Sequence, residues 1–135
     1  MALDKDVESW LLKAGMCGAV GEAGPMESYI AEAQTSAMKT GQDISEELAG
    51  IKRVGYSNAV PIQLANAREF AETRPDSTEE ALKLLTLMDA SLSLAVMYNA
   101  LALKYNAGQP EQDIISQVEE IQKLYYPNLR RTLPK

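Results

Sequence analysis

STEEALKLLTLMDASLSLAVMYNALALKYN, the stretch from Ser77 to Asn106, decides the fold. It holds no proline and no glycine, and it opens on Ser77-Thr78-Glu79-Glu80, a capping box in which the Ser77 hydroxyl answers Glu80 three residues on. At about 100° per residue, Leu84, Leu87, Ser91, Leu94, Tyr98, Leu101 and Tyr105 form one stripe, and Leu82, Leu85, Leu92, Val96 and Leu103 form another. Ala81, Met88, Ala95 and Ala102 fill the space between them. Only Lys83, Thr86, Ala90, Ser93, Ala100 and Lys104 make a weakly polar strip, so roughly two-thirds of the circumference is apolar. That width predicts a central, largely enclosed helix over about residues 77–106.

Working outward, Val7, Trp10, Leu11 and Ala14 predict a first helix over about 4–17, and Gly15, Gly18, Gly21 and Gly24 predict a frayed end or loop after it. Pro25 suits a helix start, with Met26, Tyr29, Ile30, Ala33 and Ala37 on one face as far as Gly41. Asp43 or Ser45 caps a short third helix that Gly55 ends, and a fourth begins near Ser57 or Asn58 and closes at Arg74-Pro75-Asp76. Beyond the long helix, Asn106-Ala107-Gly108 supplies a C-cap, and Ile114, Val118, Ile121 and Tyr125 mark a last helix from Pro110 to Pro127. No segment alternates with period two over a strand's length, and no Asn-Gly or Asp-Gly turn occurs. The fold class expected is all-α: a single-domain bundle of five or six helices over residues 1–127, with a basic tail at 128–135 that Pro127 and Pro134 keep extended. The prolines near helix boundaries do not amount to a tetratricopeptide repeat, whose units of about 34 residues use paired short helices.

The 135 residues contain no histidine and one cysteine, Cys17. A His-dependent triad, an imidazole base, the usual zinc and haem sites and an internal disulfide are therefore excluded. The start at Met1 to Glu8 is acidic where a secretory leader is basic, so a cytoplasmic location is expected. The net charge of −6 disfavours nucleic acid and anionic membrane as partners. It is unevenly spread: residues 123–135 carry +4 through Lys123, Arg130, Arg131 and Lys135, leaving −10 on the rest. Within 81–103, Lys83, Asp89 and Asn99 argue against a membrane span, because a charge near the bilayer centre costs about 2.5–3.5 kcal/mol.

Few segments invite a site. Asp89 and Asn99 fall on or beside the second apolar stripe and are expected as buried polar groups, each with a partner, or else as the polar floor of a ligand pocket or interface. The glycine series is no phosphate loop, lacking both a Gly-Lys-Ser/Thr ending and the G-x-G-x-x-G spacing. The acid pairs Glu46-Glu47, Glu79-Glu80 and Glu119-Glu120 diverge by about 100° within each pair, which prevents convergence on one ion. No catalytic residue, cofactor or metal ligand is expected. Glu79, Glu80, Glu119 and Glu120 are instead candidates for a negative face that docks a basic surface. Tyr126, Arg130 and Arg131 are candidates for a partner-binding tail, since Tyr and Arg are enriched at interface hot spots.

The stretch from Ala67 to Asp76, AREFAETRPD, resembles a segment of small helical immunity proteins that neutralise interbacterial toxins. It spans about a tenth of the chain, is made of ordinary helix-end residue types and assigns no family. The function expected from the residues is stoichiometric binding of another protein with a basic surface, as an inhibitor or immunity factor or as a chaperone or adaptor, without catalysis. The alternatives are a structural subunit of a helical homo-oligomer, such as a homodimer, and a carboxylate, Asn and Tyr based enzyme or ligand carrier.

Overall fold

The computed structural model describes the backbone of residues 2–132 and the side chains of residues 2–127. Five helices account for it: α1 (Lys5–Ala19), α2 (Ala23–Thr40), α3 (Ser45–Glu72), α4 (Thr78–Leu103) and α5 (Glu111–Thr132). The chain is all-α, with no strand among the described residues. It divides into two compact units: residues up to Ala59 together with Leu101–Gly108, and Val60–Ala100 together with residues from Gln109 onward.

The helix ends follow local chemistry. At the start of α1 the Asp4 carboxylate accepts the Asp6 N–H at 3.0 Å, and before α4 the Ser77 hydroxyl accepts the Glu80 N–H at 3.1 Å. The Glu80 carboxylate reaches back to the Asp76 N–H, also at 3.1 Å, completing a variant of the capping box displaced by one residue. Three helices end alike. At α1, α2 and α4 the chain turns through a left-handed residue, Gly21, Gly41 and Asn106 with φ of 74°, 66° and 61°. The following N–H of Glu22, Gln42 or Ala107 then bonds back five residues to Cys17, Ala37 or Ala102. These are Schellman ends, and glycine takes two of them because it reaches positive φ without a Cβ clash.

The glycine-rich segment departs from expectation. α1 continues through Gly15 and Gly18, and the break is confined to residues 20–22. Gly18 is buried where α1 crosses α3: a Cβ on it would lie 3.3 Å from the Gly55 Cα and 3.2 Å from the Met26 sulfur. Packing therefore uses the missing side chain that weakens the isolated helix. The Asn58 amide donates to the Gly18 and Ala19 carbonyls, both at 3.2 Å, and so satisfies two acceptors at the end of α1.

The third and fourth helices expected from the sequence are one. α3 runs unbroken through Gly55 and Pro61. Its buried residues Leu48, Gly55, Tyr56, Ala59, Val60, Leu64, Ala67 and Ala71 form a single stripe at three-to-four spacing across both supposed breaks. Burial of that continuous face outweighs the local penalties of glycine and proline. Likewise α5 passes Pro127 and reaches Thr132, so residues 128–132 are helical and not extended.

In the unit containing Val60–Ala100, the core is Val60, Leu64, Ala67 and Ala71 of α3, Ala81, Leu84, Met88, Leu92, Ala95 and Tyr98 of α4, and Ile114, Ile121 and Tyr125 of α5. Each large apolar side chain enclosed there contributes about 1.5–3 kcal/mol relative to exposure. The other unit packs Val7, Leu11 and Ala14 of α1 with Met26, Ile30, Ala33 and Ala37 of α2 and with Leu48, Tyr56 and Ala59 of α3.

Candidate functional site

The sequence leads one to expect α4 to be enclosed around most of its circumference, and it is not. Its buried side is the row Leu84, Met88, Ser91, Leu92, Ala95, Tyr98, Asn99 and Ala102. Leu82, Val96, Met97 and Leu103 stand exposed among Asp89, Ser93 and Ala100 on the opposite side. Thr78–Leu103 is long and apolar enough to cross a membrane by length and composition, and only 39% of its most apolar stretch is buried. The width of an apolar arc measures how much of a helix is able to be covered; the neighbours available decide how much is.

α4 and α5 are tied at both ends. Near the connecting turn, the Asn99 side chain donates to the Gln109 carbonyl and accepts the Gln109 N–H, each at 2.9 Å. At the far end the buried Tyr125 hydroxyl donates to the Ala81 carbonyl. Burial raises the Tyr125 pKa above its ordinary 10.0, a backbone hydrogen bond from Leu85 opposes the rise, and the nearby negative charge of Asp89 adds to it.

Between these ties the two antiparallel helices leave an open groove of about 530 Å³ on the molecular surface. Asp89, Leu92, Ser93 and Val96 of α4 face Val118 and Gln122 of α5 across it. The apolar residues are Leu92, Val96 and Val118, and the one charge among the lining residues is the Asp89 carboxylate. Tyr126 follows Gln122 by four positions, one helical turn on, and is 45% exposed, with its ring edge-on to Tyr125 at 6.4 Å.

The candidates named from the sequence fall apart into three sets. Asn99 is buried and hydrogen-bonded, as expected of a structural polar group. Asp89 is exposed, which corrects its placing among buried polar groups: it sits where the second stripe turns to solvent, because no helix covers that side of α4. Glu80 is committed to its cap, while Glu79, Glu119 and Glu120 are exposed. Glu79 stands in the first turn of α4 and precedes Leu92 by 13 residues, about 20 Å of helix rise, whereas Glu119 and Glu120 follow Val118 on α5. The side chains of Arg130 and Arg131 lie outside the described residues, as do residues 133–135 of the supposed tail.

The sequence offers Asp89 as a pocket or interface floor but gives no sign that Val118 and Gln122 of α5 form the facing wall.

Elsewhere, Leu12 and Met16 of α1 and Val20 at its C-cap repeat at four-residue spacing and are 66%, 63% and 58% exposed. On the same helix Trp10 stacks on Tyr29 at 5.9 Å, and the Lys13 ammonium lies 4.7 Å from the Trp10 ring centroid. Cys17 is half-buried and free. Among the described residues no group of three or more Cys, Asp or Glu side chains is placed to hold a metal ion. Comparison with protein families, curated proteins and solved structures finds no match for this chain.

Proposed function

We propose that this protein is a small acidic helical module that works by binding another protein stoichiometrically, as an inhibitor or as an adaptor. The observation that carries the reading is the uncovered side of α4, where Leu82, Val96 and Met97 lie exposed beside the Asp89 groove. Leaving several large apolar side chains in water on one helix is costly, and covering them on association recovers that cost. The excess of acids over bases supports a partner with a basic surface, which a negative field attracts and orients. The test is site-specific photo-crosslinking from Met97 in cells, followed by reconstitution with the purified cross-linked protein at 50 and 500 mM salt. A one-to-one complex that weakens in high salt is expected. A complex indifferent to salt, or no protein adduct from this position, overturns the reading.

A second reading, a subunit of a helical homo-oligomer, is favoured by the exposed Leu12 and Met16 of α1 and Val20 at its C-cap. Light scattering over a concentration series tests it; a strict monomer at the highest concentration removes it.

A further inference from the structure

We infer that the groove between α4 and α5 is a docking site for a basic amphipathic helix, with Asp89 as the charge that selects it. This rests on the protein-binding reading above and names the chemistry of the partner.

The walls of the groove restrict the occupant. Both are helices, whose main-chain donors and acceptors are used internally, so an extended peptide finds no sheet edge to pair with. A third helix needs no such edge. It presents apolar side chains at three-to-four spacing, and the exposed Val96 and half-buried Val118 supply apolar wall for them over the buried Leu92. Met97 and Leu82 are exposed elsewhere on α4, outside the groove lining.

Charge decides between the helices that would fit. Asp89 is the only ionised group among the lining residues, and Ser93 and Gln122 add neutral hydrogen-bonding groups to the walls. A lysine or arginine placed one turn from the apolar anchors of the incoming helix would meet the Asp89 carboxylate while its stem covers apolar surface. An acidic helix would set like charges together in a partly desolvated groove. A second copy of this chain is disfavoured for the same reason, because it brings its own Asp89 and a net charge of −6. The groove is held ready for such a ligand: Asn99 with Gln109 and Tyr125 with Ala81 tie its walls at either end, so little ordering cost falls on the binding step.

The experiment uses the full chain and fluorescein-labelled peptides of about 14 residues, four helical turns. One is an amphipathic Leu/Lys helix, one its Leu/Glu counterpart, and one a Leu/Lys peptide of identical composition scrambled to remove the apolar face. Anisotropy titrations are run on the wild type and on Asp89→Lys, Val96→Asn and Glu32→Lys. Glu32 is exposed on α2, so its variant changes net charge as Asp89→Lys does, on the unit that does not hold the groove.

The expected result is saturable one-to-one binding of the Leu/Lys helix alone, weakened about tenfold or more by Asp89→Lys and by Val96→Asn and little changed by Glu32→Lys. Equal losses in Asp89→Lys and Glu32→Lys would show diffuse attraction to an acidic protein and overturn the proposal. So would equal binding of the scrambled peptide, or binding of the Leu/Glu helix. Self-association of the wild type that Val96→Asn abolishes would assign the groove to a second copy instead. The variants keep exposed positions exposed, and unchanged helical circular dichroism confirms that each is folded. If the variants still bind the partner found by crosslinking while losing the Leu/Lys helix, or bind both as the wild type does, the groove assignment fails and the protein-binding function stands. If no partner is found but the peptide result holds, the reverse applies.

Discussion

The carboxamide of Asn99 grips the backbone of Gln109 with both of its functions, accepting the N–H and donating to the carbonyl at 2.9 Å. A side chain ten residues away thereby takes the place of a main-chain partner and fixes where the turn after α4 delivers α5. The arrangement is local in sequence and yet sets the register of two helices.

Replacing Asn99 with Leu leaves both Gln109 groups without that partner inside a part-buried site, and a loss of roughly 1–3 kcal/mol is expected. Urea denaturation followed by far-ultraviolet circular dichroism measures it. If Asn99 acts only in holding the turn, partner affinity per folded molecule stays at the wild-type value, and a selective loss of affinity in a fully folded variant would show a further role.

Gly50 and Gly55 lie five residues apart in α3 and should respond oppositely to alanine. A Cβ at position 50 meets nothing within 4 Å, so Gly50→Ala removes unfolded-state freedom and is expected to stabilise by about 0.5–1 kcal/mol. At position 55 it would fall 2.0 Å from the Met26 sulfur and 3.2 Å from the Gly18 Cα, and a cost of about 1–3 kcal/mol is expected. Thermal melts of the two variants decide the matter, and in a double-mutant cycle Gly55→Ala should cost less on a Met26→Ala background than in the wild type. Similar melting temperatures for both single variants would contradict the close crossing of α1 and α3.

Ser77→Ala deletes the hydroxyl that accepts the Glu80 N–H, with an expected cost of about 1 kcal/mol. Ser77→Asp retains an acceptor at the positive end of the α4 dipole and should restore most of it. Amide exchange in the first turn of α4 reports the change directly; equal protection in wild type and Ser77→Ala would remove the cap from the account.

Tyr125 predicts the alkaline behaviour. Its pKa is raised in the folded chain, so the unfolded chain releases the phenolic proton first, near the ordinary 10.0. Its contribution is complete below pH 10 and is lost as pH climbs toward the higher folded value. Urea midpoints at pH 8 to 11.5 should fall more gently in Tyr125→Phe than in wild type. At pH 8 the same variant should be weaker by about 1 kcal/mol through loss of the bond to Ala81. Parallel curves would show that this phenol does not govern the slope.

Much of the helical content was legible because its signals are local. Ser77 and Glu80 announced the start of α4, and Asn106 and Gly41 the ends of α4 and α2, through chemistry confined to a few residues. Gly55 and Pro61 misled for the same reason. Each weakens a helix considered alone, and neither discloses that one buried stripe runs past both. Asp89 was misplaced because a wheel gives the angle of a residue and not the identity of what lies opposite.

By itself the sequence determined that the chain is helical, where three of its helices stop, and that imidazole chemistry and internal disulfides are absent, since these follow from residue types and short-range geometry. The tertiary structure alone decided that α3 is one helix, that Gly18 and Gly55 meet, and that one side of α4 stays uncovered beside Asp89. Burial is a property of pairs of surfaces, and a single apolar arc cannot say which part of it finds a partner within its own chain.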